Sequence, residues 1–572
     1  MKGICFFVLA ITFSFFVNSQ VADTILYDYR TGGDLDSVDF ANALPFSTFS
    51  GGVLGVKNNC VTPNLLYSKS GLLNFIDQPE YLDLRFSALP HLGFSYSFGG
   101  NATQFVHFDY QQSKNNTLLN IDFNRSSSAG FMRNSAFLRN DFKIQLYRLG
   151  EMVDVTFLSS YNNKEIGLSG GVTNDTFIEL QGLEFLPVTY DDAQSKFKIA
   201  EVGFSNFYHK KKDSATYDSK GVQSVHRFNS VGRELVISNF PISNFNIDST
   251  STRDQYRFAS ITNGVGGYLK NNKMFFNLLL NHKYWDYQNL GNHMDTNELN
   301  VTSRLSYTKG NLSIQNDFYS NIIGAGQERF NKTSLHLKKN SFYFSGGFDF
   351  TQLWPLLNQR RYYSNLYNLS LSKYEIQTKI QQNLSVKWTS SNDQSVKLKV
   401  SNYLMKDNYF FIGDQWRNDT LNSIKMQALE ISAGLNYRFL YFNPDIQFNF
   451  ISDGLDVLPI YTFNGRLFIK GSLFKAKKLK AILGIDASYL SSYNTMSYNS
   501  YLDVFIFNNG LNQFNEYFTV STYFGFEISE FRFYARIENI SYPMTDIRNQ
   551  VILGYPVQPN FVRLGVTWDF FN

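Results

Sequence analysis

Residues Phe561 to Asn572 read F-V-R-L-G-V-T-W-D-F-F-N, and this last stretch of the chain decides the fold. Val562, Leu564, Val566, Trp568 and Phe570 fall on one side of an extended chain; Phe561, Arg563, Gly565, Thr567 and Asp569 fall on the other. Side chains alternate across a strand, so the pattern predicts one apolar and one polar face. It lasts for the about 9–11 residues that a tilted strand needs to cross a bilayer. A strand of a soluble sandwich is shorter, about 5–6 residues. The apolar set is expected to face lipid, and Arg563 and Asp569 to face water.

The same pattern recurs upstream. Phe518, Val520, Thr522, Phe524, Phe526 and Ile528 share a face, Ser529-Glu530 turns the chain, and Phe531, Phe533, Ala535 and Ile537 return. Opposite them lie Arg532, Arg536 and Glu538. A second hairpin runs through Leu467 and Ile469, a Lys-rich turn at Lys475 to Lys478, and Leu479 to Ala487, with Lys480 and Asp486 on its polar face. Others surround Lys309-Gly310 and Lys338-Lys339-Asn340. Asp286 to Asn297, Asn358 to Asn365 and Asp407 to Ser423 read as longer polar loops. Short turns alternating with longer loops are what the two rims of an outer-membrane barrel show. Counting from about Tyr81 to Phe571 predicts an all-β chain, a transmembrane antiparallel β-barrel of roughly 16–20 strands.

Composition agrees. The 572 residues include 56 Phe and 36 Tyr but only 12 Pro, and 17% are charged. Aromatic side chains pack well on a pleated surface. A net charge of +4 without a basic helix or RNA-binding motif excludes nucleic acid as a partner. Met1-Lys2, the apolar run Ile4 to Val17 and the small residues before Gln20 predict a signal peptide over 1–19. A retained membrane anchor is the competing reading, but the run is short for a span. Cys5 lies inside that run, so the mature chain would keep only Cys60, which leaves no disulfide and no cysteine metal site. Residues 20–77 alternate little and predict a periplasmic extension or a plug; the barrel is expected over 78–572. A soluble exported β-protein is the rival fold.

Taken together, several segments resemble the putative porin family of the Bacteroidota. They are Phe94-Ser-Tyr-Ser-Phe-Gly-Gly100, Asn120 to Gly130, Asn162-Asn163 leading to Gly170 to Asp175, Gly554-Tyr-Pro556 and Arg563 to Asn572, in that order along the chain. The resemblance implies an outer-membrane barrel with channel function and supplies no catalytic or binding residues. The aromatic-rich last strand also resembles the signal read by the outer-membrane barrel assembly machinery, although Asn572 stands where an aromatic residue usually ends such chains.

Little in the chain points to covalent chemistry. The seven histidines, His91, His107, His209, His226, His282, His293 and His336, have no zinc-site spacing. Gly167-Leu-Ser169-Gly-Gly171 fits G-x-S-x-G, but Val172-Thr-Asn-Asp175 follows where a nucleophile elbow needs a helix. A Gly-rich turn is the expectation there, and no enzyme, cofactor or metal is expected. The basic runs Lys210 to Lys212 and Lys475 to Lys480 read as solvated turns, with anionic headgroup contact as the alternative.

The inward faces carry the functional expectation. Arg304, Lys480, Asp486, Arg532, Arg536, Glu538, Arg563 and Asp569 would line a pore, since Arg or Lys on the lipid face would cost about 2–4 kcal/mol at the midplane. Mixed charges across a wet lumen bias which ions pass; alternatively they pair and fill it. The leading expectation is a cell outer-membrane porin passing small polar solutes by diffusion, surrounded by outer-membrane lipid. The alternatives are a dedicated-substrate or hydrophobic-compound transporter with 20–77 as plug, and a non-transporting structural or assembly barrel.

Overall fold

The computed structural model describes residues 90–571 apart from 174–181, 213–217, 239–250, 325–327, 356, 372–373, 393, 413–414, 418–422, 452–456, 477, 500, 503, 507–512, 545–549 and 558. The signal peptide and the 20–77 segment expected from the sequence lie outside the described residues, as does 78–89.

Among the described residues, 22 strands form one sheet. They begin with β1 (His91–Gly99), β2 (Thr103–Lys114), β3 (Thr117–Ser128), β4 (Phe137–Arg148) and β5 (Val153–Gly167). Longer strands follow: β6 (Ala193–Lys212), β7 (Ser219–Ser238), β8 (Ser251–Lys270), β9 (Met274–Asn289) and β10 (Asn292–Lys309). Next come β11 (Leu312–Ile323), β12 (Arg329–Lys339), β13 (Phe342–Leu353), β14 (Gln377–Thr389), β15 (Ser395–Lys406) and β16 (Ser423–Tyr437). The ring is completed by β17 (Leu440–Ile451), β18 (Tyr461–Leu473), β19 (Leu479–Leu490), β20 (Tyr517–Ile528), β21 (Phe531–Glu538) and β22 (Phe561–Phe571).

Each strand pairs antiparallel with the next, and β22 closes on β1 in an unbroken register from His91↔Phe571 to Gly99↔Arg563. Closure leaves no strand edge with unpaired backbone groups. Connections after even-numbered strands are tight. Asn115 and Asn116 join β2 to β3 with φ of 50° and 59°, a left-handed pair that matches the twist of a hairpin and that Asn tolerates. The long connections, 168–192, 354–376, 407–422, 491–516 and 539–560, all follow odd-numbered strands and emerge at the opposite rim.

The wall is inside-out relative to a soluble protein. On β22 the outward Val562 and Trp568 are 53% and 46% exposed, while inward Arg563 is 2% exposed. Outward Val202, Phe204, Val222, Phe228, Ile261, Val265, Leu278 and Leu280 continue an exposed apolar surface across β6 to β9. Apolar area of that extent has no place in water.

Two expectations need correction. The ring has 22 strands, more than the roughly 16–20 expected from alternation. Strands such as β14, Q-T-K-I-Q-Q-N-L-S-V-K-W-T, carry Thr378 and Gln382 on the outward face with Ile380 and Leu384, which dilutes the two-residue signal. The stretch Asp286 to Asn297 is also not a loop: β9 and β10 run through it and turn at Leu290-Gly291, where Gly291 has φ 83°. Its polarity comes from strands that outrun the apolar belt and enter solvent.

Candidate functional site: the lumen and its mouth

Inside the ring, parity brings the sequence-selected charges onto one face, and most of them meet opposite charges there. Arg466 on β18 donates to Asp486 on β19 at 3.0 Å; Asp486 also accepts from Arg536 on β21, which reaches Glu538 at 2.8 Å. A second chain crosses the closure seam. Lys480 on β19 meets Glu527 on β20 at 2.9 Å, Glu527 holds Arg532 at 3.1 Å, and Arg532 lies 3.5 Å from Asp569 on β22. His91 on β1 continues it, 3.9 Å from Asp569 and 3.1 Å from Asp109 on β2, and His107 joins Asp109 at 3.3 Å. On the far wall Arg304 of β10 grips Asp317 of β11 through two hydrogen bonds, the longer at 3.2 Å.

These residues differ in what they offer a solute. Arg563, Arg536 and Glu538 are buried, and the Arg563 guanidinium stacks over the Phe561 ring at 5.4 Å. The Lys480 side chain is far more open. Paired in this way, the charges brace neighbouring strands before they present a field. Sequence reasoning left Glu527, Asp109, His91 and His107 off the pore-lining set. Alternation within each strand was the available signal: Glu527 falls opposite Phe524, Phe526 and Ile528, and His107 and Asp109 fall opposite Val106, Phe108 and Tyr110.

At the rim of long connections the chemistry changes from charge to apolar packing. Phe131, Leu186, Val457, Tyr493, Met496, Phe514, Ile552 and Tyr555 come from five different connections and bury together. A second cluster sets Leu357, Tyr362, Leu369, Phe411, Tyr501 and Leu502 against the inward face of β6 to β9, including Phe197, Leu235, Phe258 and Trp285. Backbone bonds tie the connections to each other. Val172 donates to the Gly554 carbonyl at 2.7 Å, Leu553 donates to the Met496 carbonyl at 2.9 Å, and Phe411 pairs in parallel with Ile506. Asn499 donates to the Tyr367 hydroxyl at 2.9 Å.

One contact spans the ring. Arg233 on β7 donates through Nη1 to the Tyr501 carbonyl at 2.7 Å, and Tyr501 belongs to the connection between β19 and β20, on the opposite side. Nearby, the Asn365 amide donates to Asp254 of β8 at 3.0 Å. Connection 491–516 therefore reaches over the mouth and docks on the far wall.

Burial keeps the phenols of this cover neutral. The Tyr190 phenol is pushed up to about 12 by burial and by Tyr367, and that of Tyr362 to about 12, chiefly by burial. Burial raises Tyr555 further. The Gly167-to-Gly171 motif belongs here as well. Ser169 is buried and its Oγ accepts from the Gly171 amide at 3.3 Å, while Gly171 and Gly554 meet back to back with φ of 86° and 83°. A Cβ on Gly171 would stand 3.2 Å from the Gly554 Cα, so the glycines allow two connections to touch.

The sequence profile of the family described as putative porin matches residues 85–572, from just before β1 to the end of the chain. The chain belongs to that family. Among curated proteins nothing matches it. Solved structures match this putative porin in shape. The copper transporter OprC has 9% identity and a TM-score of 0.61, covering 86% of this chain and 82% of its own. The ferric enterobactin receptor PfeA has 10% identity and a TM-score of 0.59, with 85% and 82% covered. The iron transporter FrpB of Neisseria meningitidis has 8% identity and a TM-score of 0.57, with 84% and 81% covered. At such identities the likeness is one of fold.

Proposed function

We infer that this porin-family barrel sits in the outer membrane and carries a dedicated solute through a mouth that its own connections keep shut at rest. The observation that carries this is the docking of connection 491–516 on β7 across the ring through Arg233 and Tyr501. A 22-stranded ring without such cover would enclose a wide lumen; rings of that size hold a plug, whereas water-filled porins have about 16–18 strands. The exposed apolar belt gives the ring its lipid boundary, with the short turns toward the periplasm and the cover outward. The barrel assembly machinery would act on β22. Passage requires the cover to lift, and no covalent step is needed. That the similar structures are a copper transporter and a ferric enterobactin receptor fits a dedicated cargo.

The family's description favours a second reading, passive diffusion of small polar solutes through a standing pore. Planar-bilayer recording separates the two. The intact chain is expected to stay closed, and deletion of 495–512 to produce large steady steps. Equal steady conductance from the intact chain would replace the dedicated transporter with the diffusion pore. Deletion of 20–77, alone and combined, measures what a plug adds.

A further inference from the structure

The outward face of β6, β7 and β8 carries a feature the lumen does not explain. Going outward along these strands, Val202, Phe228 and Ile261 lie in one row, with Tyr284 of β9 beside them. Ala200, Ser230 and Ala259 form the next row, and Lys198, Gly232 and Arg257 the one beyond. The apolar belt therefore gives way to small residues and then to two cations flanking a bare glycine. Lys198 and Arg257 stand two strands apart, about 10 Å. Between them runs a groove of about 630 Å³, floored by Ala200, Ser230 and Gly232 and edged by Lys196.

The cations are available. Among the described residues no carboxylate pairs with Lys196, Lys198 or Arg257. Of the acids nearby, Glu234, which also lines the groove, is taken by Arg253 at 2.6 Å and Asp286 by His293 at 2.9 Å, while Glu165 of β5 stands opposite Lys196 at the groove's edge. The height is also right. On β7 the outward, exposed Lys220 marks the short-turn boundary, and 221–231 separate it from Gly232. That interval is about the 9–11 residues a tilted strand uses to cross the hydrocarbon. The groove thus sits at the headgroup level of the outward leaflet.

We propose that this groove binds the phosphate-bearing headgroup of an anionic lipid of the outward leaflet, held between Lys198 and Arg257 over Gly232. This rests on the outer-membrane reading above. Lys and Arg at an interface keep their stems along apolar surface and extend the charge to the headgroups, where each favours anionic lipid. Small residues beneath let a bulky sugar or glycerol phosphate lie against the wall. The site would anchor the tall β6–β10 side of the ring, the side on which the cover docks.

Native mass spectrometry of the full barrel in detergent tests it, with bisphosphorylated lipid A, dephosphorylated lipid A and inorganic phosphate as probes. The wild type is expected to retain bisphosphorylated lipid A, with retention falling about tenfold in Lys198→Gln/Arg257→Gln. Gly232→Leu should lose it as well by filling the groove; a Cβ there meets only the Tyr256 carbonyl at 3.8 Å, so the wall tolerates the change. Lys220→Gln, at the other boundary, should retain it. Undiminished retention by both groove variants would overturn the proposal. So would equal retention of the dephosphorylated lipid, or full displacement of the lipid by inorganic phosphate. Heat-dependent gel mobility of the same samples reports the barrel separately. A chain extracted without detergent and lacking that mobility would reject the membrane reading itself.

Discussion

The closure seam and the mouth are built on opposite principles. At the seam, β19 to β2 are laced by alternating charges: Lys480, Glu527, Arg532, Asp569, His91 and Asp109. At the mouth, connections that start on different strands share aromatic and aliphatic side chains, with a handful of backbone bonds as fasteners. A charge lattice buried in a wall is costly to break at any one point, because each removal strands another charge. Apolar packing between connections is graded: it can loosen without any group losing an obligatory partner. The seam is therefore suited to staying shut for the life of the protein, and the mouth to opening.

Substitutions sharpen or break that contrast. The largest effect is expected from Arg532→Ala, which leaves Glu527 and Asp569 facing each other without their shared cation. Loss of one partner of a buried pair costs about 3–5 kcal/mol. The temperature at which the folded gel band disappears should fall sharply, with no gain in conductance before unfolding. A stable, leaky Arg532→Ala barrel would show that the seam also gates.

Arg233→Ala is expected to do the reverse. It removes a charged hydrogen bond of about 1.5–3 kcal/mol from the Tyr501 carbonyl and frees connection 491–516 from the far wall. Bilayer recording should show frequent openings while the gel transition hardly moves. Gly171→Ala follows in size. An alanine at φ 86° costs about 1–2 kcal/mol and crowds Gly554, so openings should rise modestly.

Alkaline pH gives the smallest and most selective probe. The Tyr190 and Tyr362 phenols lie at about 12 in the folded cover, above the usual value near 10. Their neutral forms favour the closed state fully below pH ~10, and that contribution is lost as pH rises toward 12. Openings should increase over this window and not between pH 7 and 9. A rise already at pH 8 would assign the response to other groups.

How much of this was legible follows the same division. The wall has a period, so the alternation in β22 and in the β20–β21 hairpin set inward against outward residues one by one, including Arg563, Asp569, Arg532 and Arg536. The strand number was underestimated where outward positions are polar, as at Gln382, or where strands outrun the belt, as at Asp286 and Asp295. The mouth has no period. Arg233 and Tyr501 are far apart in the chain, and nothing local to either announces the partner. The aromatic density of Tyr493, Tyr498, Tyr501 and Phe514 was the available hint that this stretch is not a solvated loop. Of the site residues, the charges were visible as a set, but their pairing across the seam needed the register of β1 on β22.

The cover's closure of the lumen is tested most directly by reagent access from outside. Asn300 is buried on the inward face of β10. In cells carrying Asn300→Cys in a Cys60→Ser background, a bulky membrane-impermeant polyethylene-glycol maleimide should leave the intact barrel unlabelled. It should label the same cysteine readily once 495–512 is deleted. Rapid labelling of the intact barrel, equal to that of the deletion, would contradict the account.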